Sequence, residues 1–194
     1  EYISALLNIW NNGDCAVLLD WRIPFGTAVD MMRESGVTHC YIEKRFLRQI
    51  KIPLPADLVW ITYERNSNTA EELPRELYRK FRANDSCDEA VVLYSSGTTG
   101  KAKGIVLTHF ALQMNADAIL DYMQSHKNDC MYVAKTLSHS STLTGELLVA
   151  LKAGMRLIVG PTIVPPRLVF NIIKKYGVSL ICLNPTLLAA YADE

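Results

Sequence analysis

Ala90-Val91-Val92-Leu93-Tyr94-Ser95-Ser96-Gly97-Thr98-Thr99-Gly100-Lys101-Ala102-Lys103-Gly104-Ile105-Val106-Leu107 sets a short apolar run on each side of a segment dense in glycine, hydroxyl and lysine. Glycine lets a backbone come close to a ligand and aim successive N–H groups at it. Hydroxyls add short hydrogen bonds, and lysine supplies a mobile positive charge. The segment reads as a phosphate grip. A Walker-type P-loop needs a longer spacer between its glycines and a Ser or Thr directly after its lysine. Here only Thr98 and Thr99 separate Gly97 from Gly100, and Ala102 follows Lys101. The β-branched Ile105-Val106 predicts a strand next, whereas P-loops and dinucleotide folds place phosphate at a helix N-terminus. The bland alternative is a hairpin with a Gly-Thr turn and no ligand.

Working outward, 194 residues at 49% hydrophobic content are enough to bury a core of about one domain. Twenty basic and twenty acidic side chains cancel, so the overall charge gives no reason to expect nucleic acid or an anionic membrane surface as a partner. Cys15, Cys40, Cys87, Cys130 and Cys182 are scattered, odd in number and without a CxxC pair, the pattern of reduced thiols rather than a disulfide framework or zinc site. With no basic-then-apolar leader and no apolar run near the roughly 20 residues of a membrane span, the expected location is cytoplasmic.

Helical and strand patterns alternate along the chain. Ile3, Leu6, Leu7 and Trp10 fall at helical spacing; Ala16 to Leu19 predicts a strand, Pro24 to Gly36 a helix, and Val37 to Ile42 and Leu58 to Thr62 two more strands. Glu71 to Arg82 predicts a charged, exposed helix. Beyond the glycine-rich segment, Phe110 to Ser125 shows helical periodicity through Phe110, Met114, Ala118 and Tyr122. Cys130 to Ala134 is a strand, Leu143 to Lys152 a helix stopped near Gly154, and Met155 to Val159 a strand. Pro165 and Pro166 open a helix that ends before Gly177; Leu180 to Leu183 and a helix from Pro185 follow. Strands alternating with helices predict an α/β fold, a largely parallel sheet covered by helices on both faces. A chain that stops inside such a series is expected to be a piece of a longer protein.

Ser95 to Gly104 resembles the signature loop of the adenylate-forming superfamily, which includes acyl- and aryl-CoA synthetases, nonribosomal peptide synthetase adenylation domains and luciferases. Ala102 stands where that family usually has proline, a change that removes no phosphate-binding group. Leu7 to Trp10 through Asp20 to Pro24, Val106 to His109, Leu147 to Val159 and Val178 to Tyr191 are similar to further segments of the family. The resemblance covers nearly the whole chain, and the chain covers well under half of a family member. It implies that residues 1–194 are part of an N-terminal AMP-binding domain. The C-terminal domain and the motifs that bind adenine, ribose and most of the magnesium shell would lie elsewhere, so this chain alone would be inactive.

The resemblance also implies a reaction. A carboxylate attacks the α-phosphate of ATP, pyrophosphate leaves, and the acyl-adenylate passes to a thiol of CoA or a carrier protein, with Mg2+ as cofactor. Ser95, Ser96, Gly97, Thr98, Thr99 and Gly100 would hold the β- and γ-phosphates and Lys103 would neutralise charge near them, while Lys101 reads as a solvated loop lysine. Donors placed where the leaving pyrophosphate gathers charge favour the transition state over the ground state. His139, in Leu137-Ser138-His139-Ser140, matches a histidine or aromatic that lies near the substrate carboxylate in CoA synthetases of the family. An ungapped count back from Gly154 puts that position at Ser140 instead. The same count puts Ser141 where amino-acid-activating domains carry an aspartate, which favours a plain acid as substrate. Glu146 matches a recurrent glutamate, or else simply stabilises the start of a helix. His39, His109 and His126 receive no chemistry. A carrier-loading adenylation domain and a non-catalytic nucleotide- or phosphate-binding module are the alternatives.

Overall fold

A computed structural model describes residues 2–64, 86–95, 102–160 and 165–192. The charged helix expected over Glu71 to Arg82 and the loop residues Ser96 to Lys101 lie outside the described residues. The chain divides into two compact units, Glu1–His109 and Phe110–Glu194.

In the first unit, helix α1 (Tyr2–Asn11) buries Leu6, Leu7 and Trp10, three of the four residues of its predicted stripe. Trp10 Nε1 donates to the carbonyl of Ala90 at 2.7 Å, tying the helix to the strand that leads into the glycine-rich segment. Strand β1 (Ala16–Leu18) runs parallel to β4 (Glu89–Ser95), and β4 pairs antiparallel with β5 (Lys103–Thr108). Ala90 to Leu93 are buried, so β4 forms the spine of this sheet. Helix α2 (Phe25–Glu34) sends Ala28 and Met32 into a cluster with Leu58, flanked by Cys40 of β2 (His39–Glu43) and Trp60 of β3 (Val59–Tyr63). Strands β2 and β3 are parallel. A single helical turn, α3 (Lys44–Leu47), follows β2 without any apolar periodicity to announce it.

In the second unit, α4 (His109–Met123, beginning at the last residue of the first) precedes β6 (Cys130–Val133). Next come one turn of helix, α5 (Ser140–Thr142), a π-helical turn (Leu143–Leu147) and α6 (Leu148–Ala153). Gly154, at φ 70°, ends that run in the left-handed conformation that glycine adopts without penalty. Strand β7 (Arg156–Val159), helix α7 (Pro166–Tyr176), strand β8 (Leu180–Ile181) and helix α8 (Pro185–Ala192) complete the series. The sheet order is β7-β6-β8, all parallel. All four residues of β6 are buried: Tyr132 meets Val169, Ile172 and Ile173 of α7, and the π turn packs against the same strand.

The α/β reading holds, with parallel pairing everywhere among the described residues except β4–β5. The connection over residues 96–102 is too short for the crossover that parallel neighbours require, so a hairpin is forced there. Among the described residues the strands form three small sheets, not one large one. The stripe Phe110, Met114 and Tyr122 of α4 faces outward, while Leu112, Gln113 and Ala116 are buried. Apolar spacing located this helix correctly, but its buried face is set by a narrower strip of mixed polarity.

Candidate active site

Strands β4 and β5 meet with Ser95 opposite Lys103, so both side chains stand at the open end of a hairpin whose connecting residues are 96–102. Both are exposed. One register step in, Tyr94 lies opposite Gly104, and a Cβ on Gly104 would come within 3.1 Å of Val92 Cγ1 and 3.5 Å of Tyr94 Cζ. This glycine of the motif thus makes room for the Val92 side chain, with the Tyr94 ring in ordinary contact beside it. The ring is held in turn: Tyr94 Oη donates to the carbonyl of Met31 at 2.9 Å and lies 2.8 Å from Ser35 Oγ. The end of β4 that feeds the glycine-rich residues is therefore pinned to the last turn of α2. Of the predicted phosphate-holding residues, the structure places Ser95 and Lys103; Ser96, Gly97, Thr98, Thr99 and Gly100 lie outside the described residues.

His139 belongs to the second unit, past the C-terminal end of β6. It is exposed and takes the N-cap position of α5, where its Nδ1 accepts the backbone N–H of Ser141 at 3.3 Å. Ser141 Oγ lies 3.0 Å from the same nitrogen and accepts from Lys135 Nζ at 3.1 Å. Lys135 Nζ is also 2.7 Å from Glu146 Oε1. Glu146 is fully buried, and the contact is an ion pair whose angles leave its oxygens without a well-directed hydrogen bond. Burial pushes the Glu146 carboxyl above the ordinary glutamate range, against the opposing pull of Lys135. Cys182, just after β8, is half-buried, and its thiol is raised by burial first and then by the Glu146 charge.

Sequence reasoning named His139 and left Glu146 between two explanations. A buried carboxylate in the π turn, paired with a lysine two residues after β6, goes beyond stabilising a helix start. Lys135 was missed altogether. Its only signal in the sequence is a cation directly after four apolar strand residues and Ala134, where buried surroundings would demand a partner. Ser141 proves to be part of the hydrogen-bonded chain rather than a mere gap where an aspartate could stand. Among the described residues no three His, Cys, Asp or Glu side chains gather as a metal site, so no Mg2+ ligand is assigned.

A hairpin framing a glycine- and hydroxyl-rich connection, set in an α/β fold, is the arrangement around which the site is built. The family described as AMP-binding enzyme matches residues 1–194, and the chain belongs to that family. It is 31% identical over 109 residues to the probable 4-coumarate–CoA ligase 3 of Dictyostelium discoideum, covering 55% of this chain and 20% of the ligase. It is 26% identical over 192 residues to gramicidin S synthase 2 of Brevibacillus brevis, covering 96% of this chain and 4% of the synthase. Its fold is similar, at TM-score 0.71 and 22% identity, to o-succinylbenzoate CoA synthetase from Bacillus subtilis solved with its acyl-adenylate, with 98% of this chain and 48% of that one covered. The chain thus spans less than half the length of each of these relatives. Among the described residues no helix is long and apolar enough to cross a membrane.

Proposed function

We propose that residues 1–194 form the N-terminal part of an ATP-dependent ligase that activates a carboxylic acid as its acyl-adenylate, releases pyrophosphate and passes the acyl group to a thiol. The observation that carries this reading is the β4–β5 hairpin, which sets Ser95 and Lys103 at the two ends of the glycine- and threonine-rich connection. Lys103 supplies a positive charge, and Ser95 a hydroxyl, to a polyphosphate lying across that mouth. The backbone and hydroxyls of Ser96 to Gly100 complete the grip on the β- and γ-phosphates, and as pyrophosphate leaves they meet the charge that develops on it. Mg2+, when bound, neutralises the phosphates. His139 meets the substrate carboxylate. Because Ser141 donates its backbone N–H to Nδ1, the neutral imidazole carries its proton on Nε2, and that N–H is the donor offered outward. The acceptor thiol belongs to CoA or to a carrier protein, and a plain acid fits better than an amino acid, since Ser141 carries no negative charge to offset a substrate ammonium. The five cysteines, all unpaired to one another, support a cytoplasmic setting.

Carboxylate-dependent exchange of labelled pyrophosphate into ATP by the full-length protein, over a panel of fatty, aryl and amino acids, tests the reaction. Exchange with at least one acid is expected; none with any acid sinks the ligase reading in favour of a non-catalytic nucleotide-binding module. Changing Thr98 and Thr99 to Ala is expected to weaken ATP use at an unaltered thermal midpoint. A large loss of stability with normal ATP use would make the segment a plain hairpin turn.

A further inference from the structure

Beyond the loop and His139, the second unit holds a continuous polar chain that runs from its core to its surface. Glu146, fully buried in the π turn, sits 2.7 Å from Lys135 Nζ; Lys135 donates to Ser141 Oγ at 3.1 Å; and Ser141 Oγ lies 3.0 Å from His139 Nδ1. Each link dictates the next. An ammonium can only donate, so the Ser141 oxygen accepts a hydrogen bond from Lys135 and turns its own O–H toward the lone pair of Nδ1. The backbone N–H of Ser141 aims at the same lone pair. With that lone pair occupied from both sides, the imidazole is fixed in rotation and tautomer.

We infer that Lys135, anchored by buried Glu146 and acting through Ser141, is a positioning residue that holds His139 with Nε2–H directed outward. The inference rests on the proposed role of His139 for its effect on rate, although the geometry it describes stands without that role. A buried carboxylate is a costly partner for a lysine whose own side chain is only 18% exposed unless the lysine must not move, because a solvated lysine keeps several rotatable bonds free. Leaving Glu146 in its pocket and Lys135 on Ser141 gives the exposed histidine a support fixed in the core.

The test uses the full-length protein. Two readouts are taken: pyrophosphate exchange with its best acid, and carbethoxylation of His139 by diethyl pyrocarbonate, followed by peptide mass spectrometry with His126 as internal reference. Ser141→Ala and the paired change Lys135→Met with Glu146→Gln, which leaves no lone buried charge, are compared with Lys135→Met alone and with Lys135→Arg. Ser141→Ala and the paired change are expected to lower exchange about tenfold, the worth of one charge-assisted hydrogen bond, and to raise His139 carbethoxylation several-fold. Lys135→Arg restores both toward the parent values. In a His139→Ala background the same changes cause no further loss of exchange. If His139→Ala itself leaves exchange unchanged, the role of His139 fails, while carbethoxylation still reads the positioning chain. Unchanged carbethoxylation in both Ser141→Ala and the paired variant overturns the inference, as does a loss of exchange that persists in the His139→Ala background.

Discussion

Tyr132 shows how tightly single residues are constrained near the ends of the β7-β6-β8 sheet. Its ring is fully buried, and its hydroxyl has no hydrogen-bond partner among the described residues. A Cβ on Gly160, which follows β7, would stand 2.5 Å from that hydroxyl and 2.7 Å from Cε2. A buried tyrosine packed on Val169 cannot swing aside, so Gly160→Ala is expected to destabilise the protein by about 1–3 kcal/mol, the usual range for overpacking a core. Chemical denaturation measures it, and an unchanged midpoint would show that the ring has room. The glycine was visible in the sequence, but its reason was not, because the atom it avoids lies on another strand.

At the level of elements, the hairpin at the glycine-rich segment depends on helix α2 as well as on its own ladder. Tyr94 reaches from β4 to the carbonyl of Met31 and the hydroxyl of Ser35, both in or beside the last turn of that helix. Removing the hydroxyl in Tyr94→Phe breaks both bonds; the Met31 carbonyl still accepts the Ser35 N–H at 3.0 Å, so the Ser35 hydroxyl is the group left without this partner, with an expected loss of about 1 kcal/mol in denaturant unfolding. A neutral result would mean that water takes over both bonds. Most elements were legible in advance because glycine and proline punctuate them: Gly154 and Gly177 end helices at positive φ, and Pro165 and Pro166 open one. What was not legible follows from tertiary context. The strand expected to reach Leu183 stops at Ile181, α3 carries no periodic signal, and the apolar stripe of α4 lies on its outer face. That strands flank the glycine-rich segment could be read from the sequence, whereas the register that sets Ser95 opposite Lys103 could not. The chain from Glu146 to His139 could not, since Lys135 and Glu146 are eleven residues apart and joined only by folding.

Across the whole molecule, acid sensitivity divides by residue. His109 is buried against Trp10, ring centroids 5.7 Å apart, and burial lowers its pKa from the usual 6.5, against a weaker pull from Asp88. A histidine depressed in the folded state adds stability that is complete above its unfolded pKa and lost as pH falls through its folded one. Glu146 has the opposite sign: its raised pKa lets the folded state take up a proton first, so it adds nothing to the loss in acid. The thermal midpoint is therefore expected to begin falling below about pH 6.5, and His109→Gln to flatten that limb. Identical pH profiles for the two proteins would assign the limb elsewhere.

The π turn at Leu143–Leu147 carries one residue more than an α-helical turn of the same span, because its bonds reach from i to i+5. Counting back from Gly154 through it, one place is used up inside the bulge. The bulge thus acts as an inserted residue, and deleting Thr144 is expected to restore plain α-helix and turn everything upstream of it by about 100°, the angular step of one residue. His139 and Ser141 would then rotate away from Lys135, and His139 would lose the protection against carbethoxylation that its neighbours provide. A protein that tolerated the deletion with His139 still protected would show that the extra residue serves no positioning purpose.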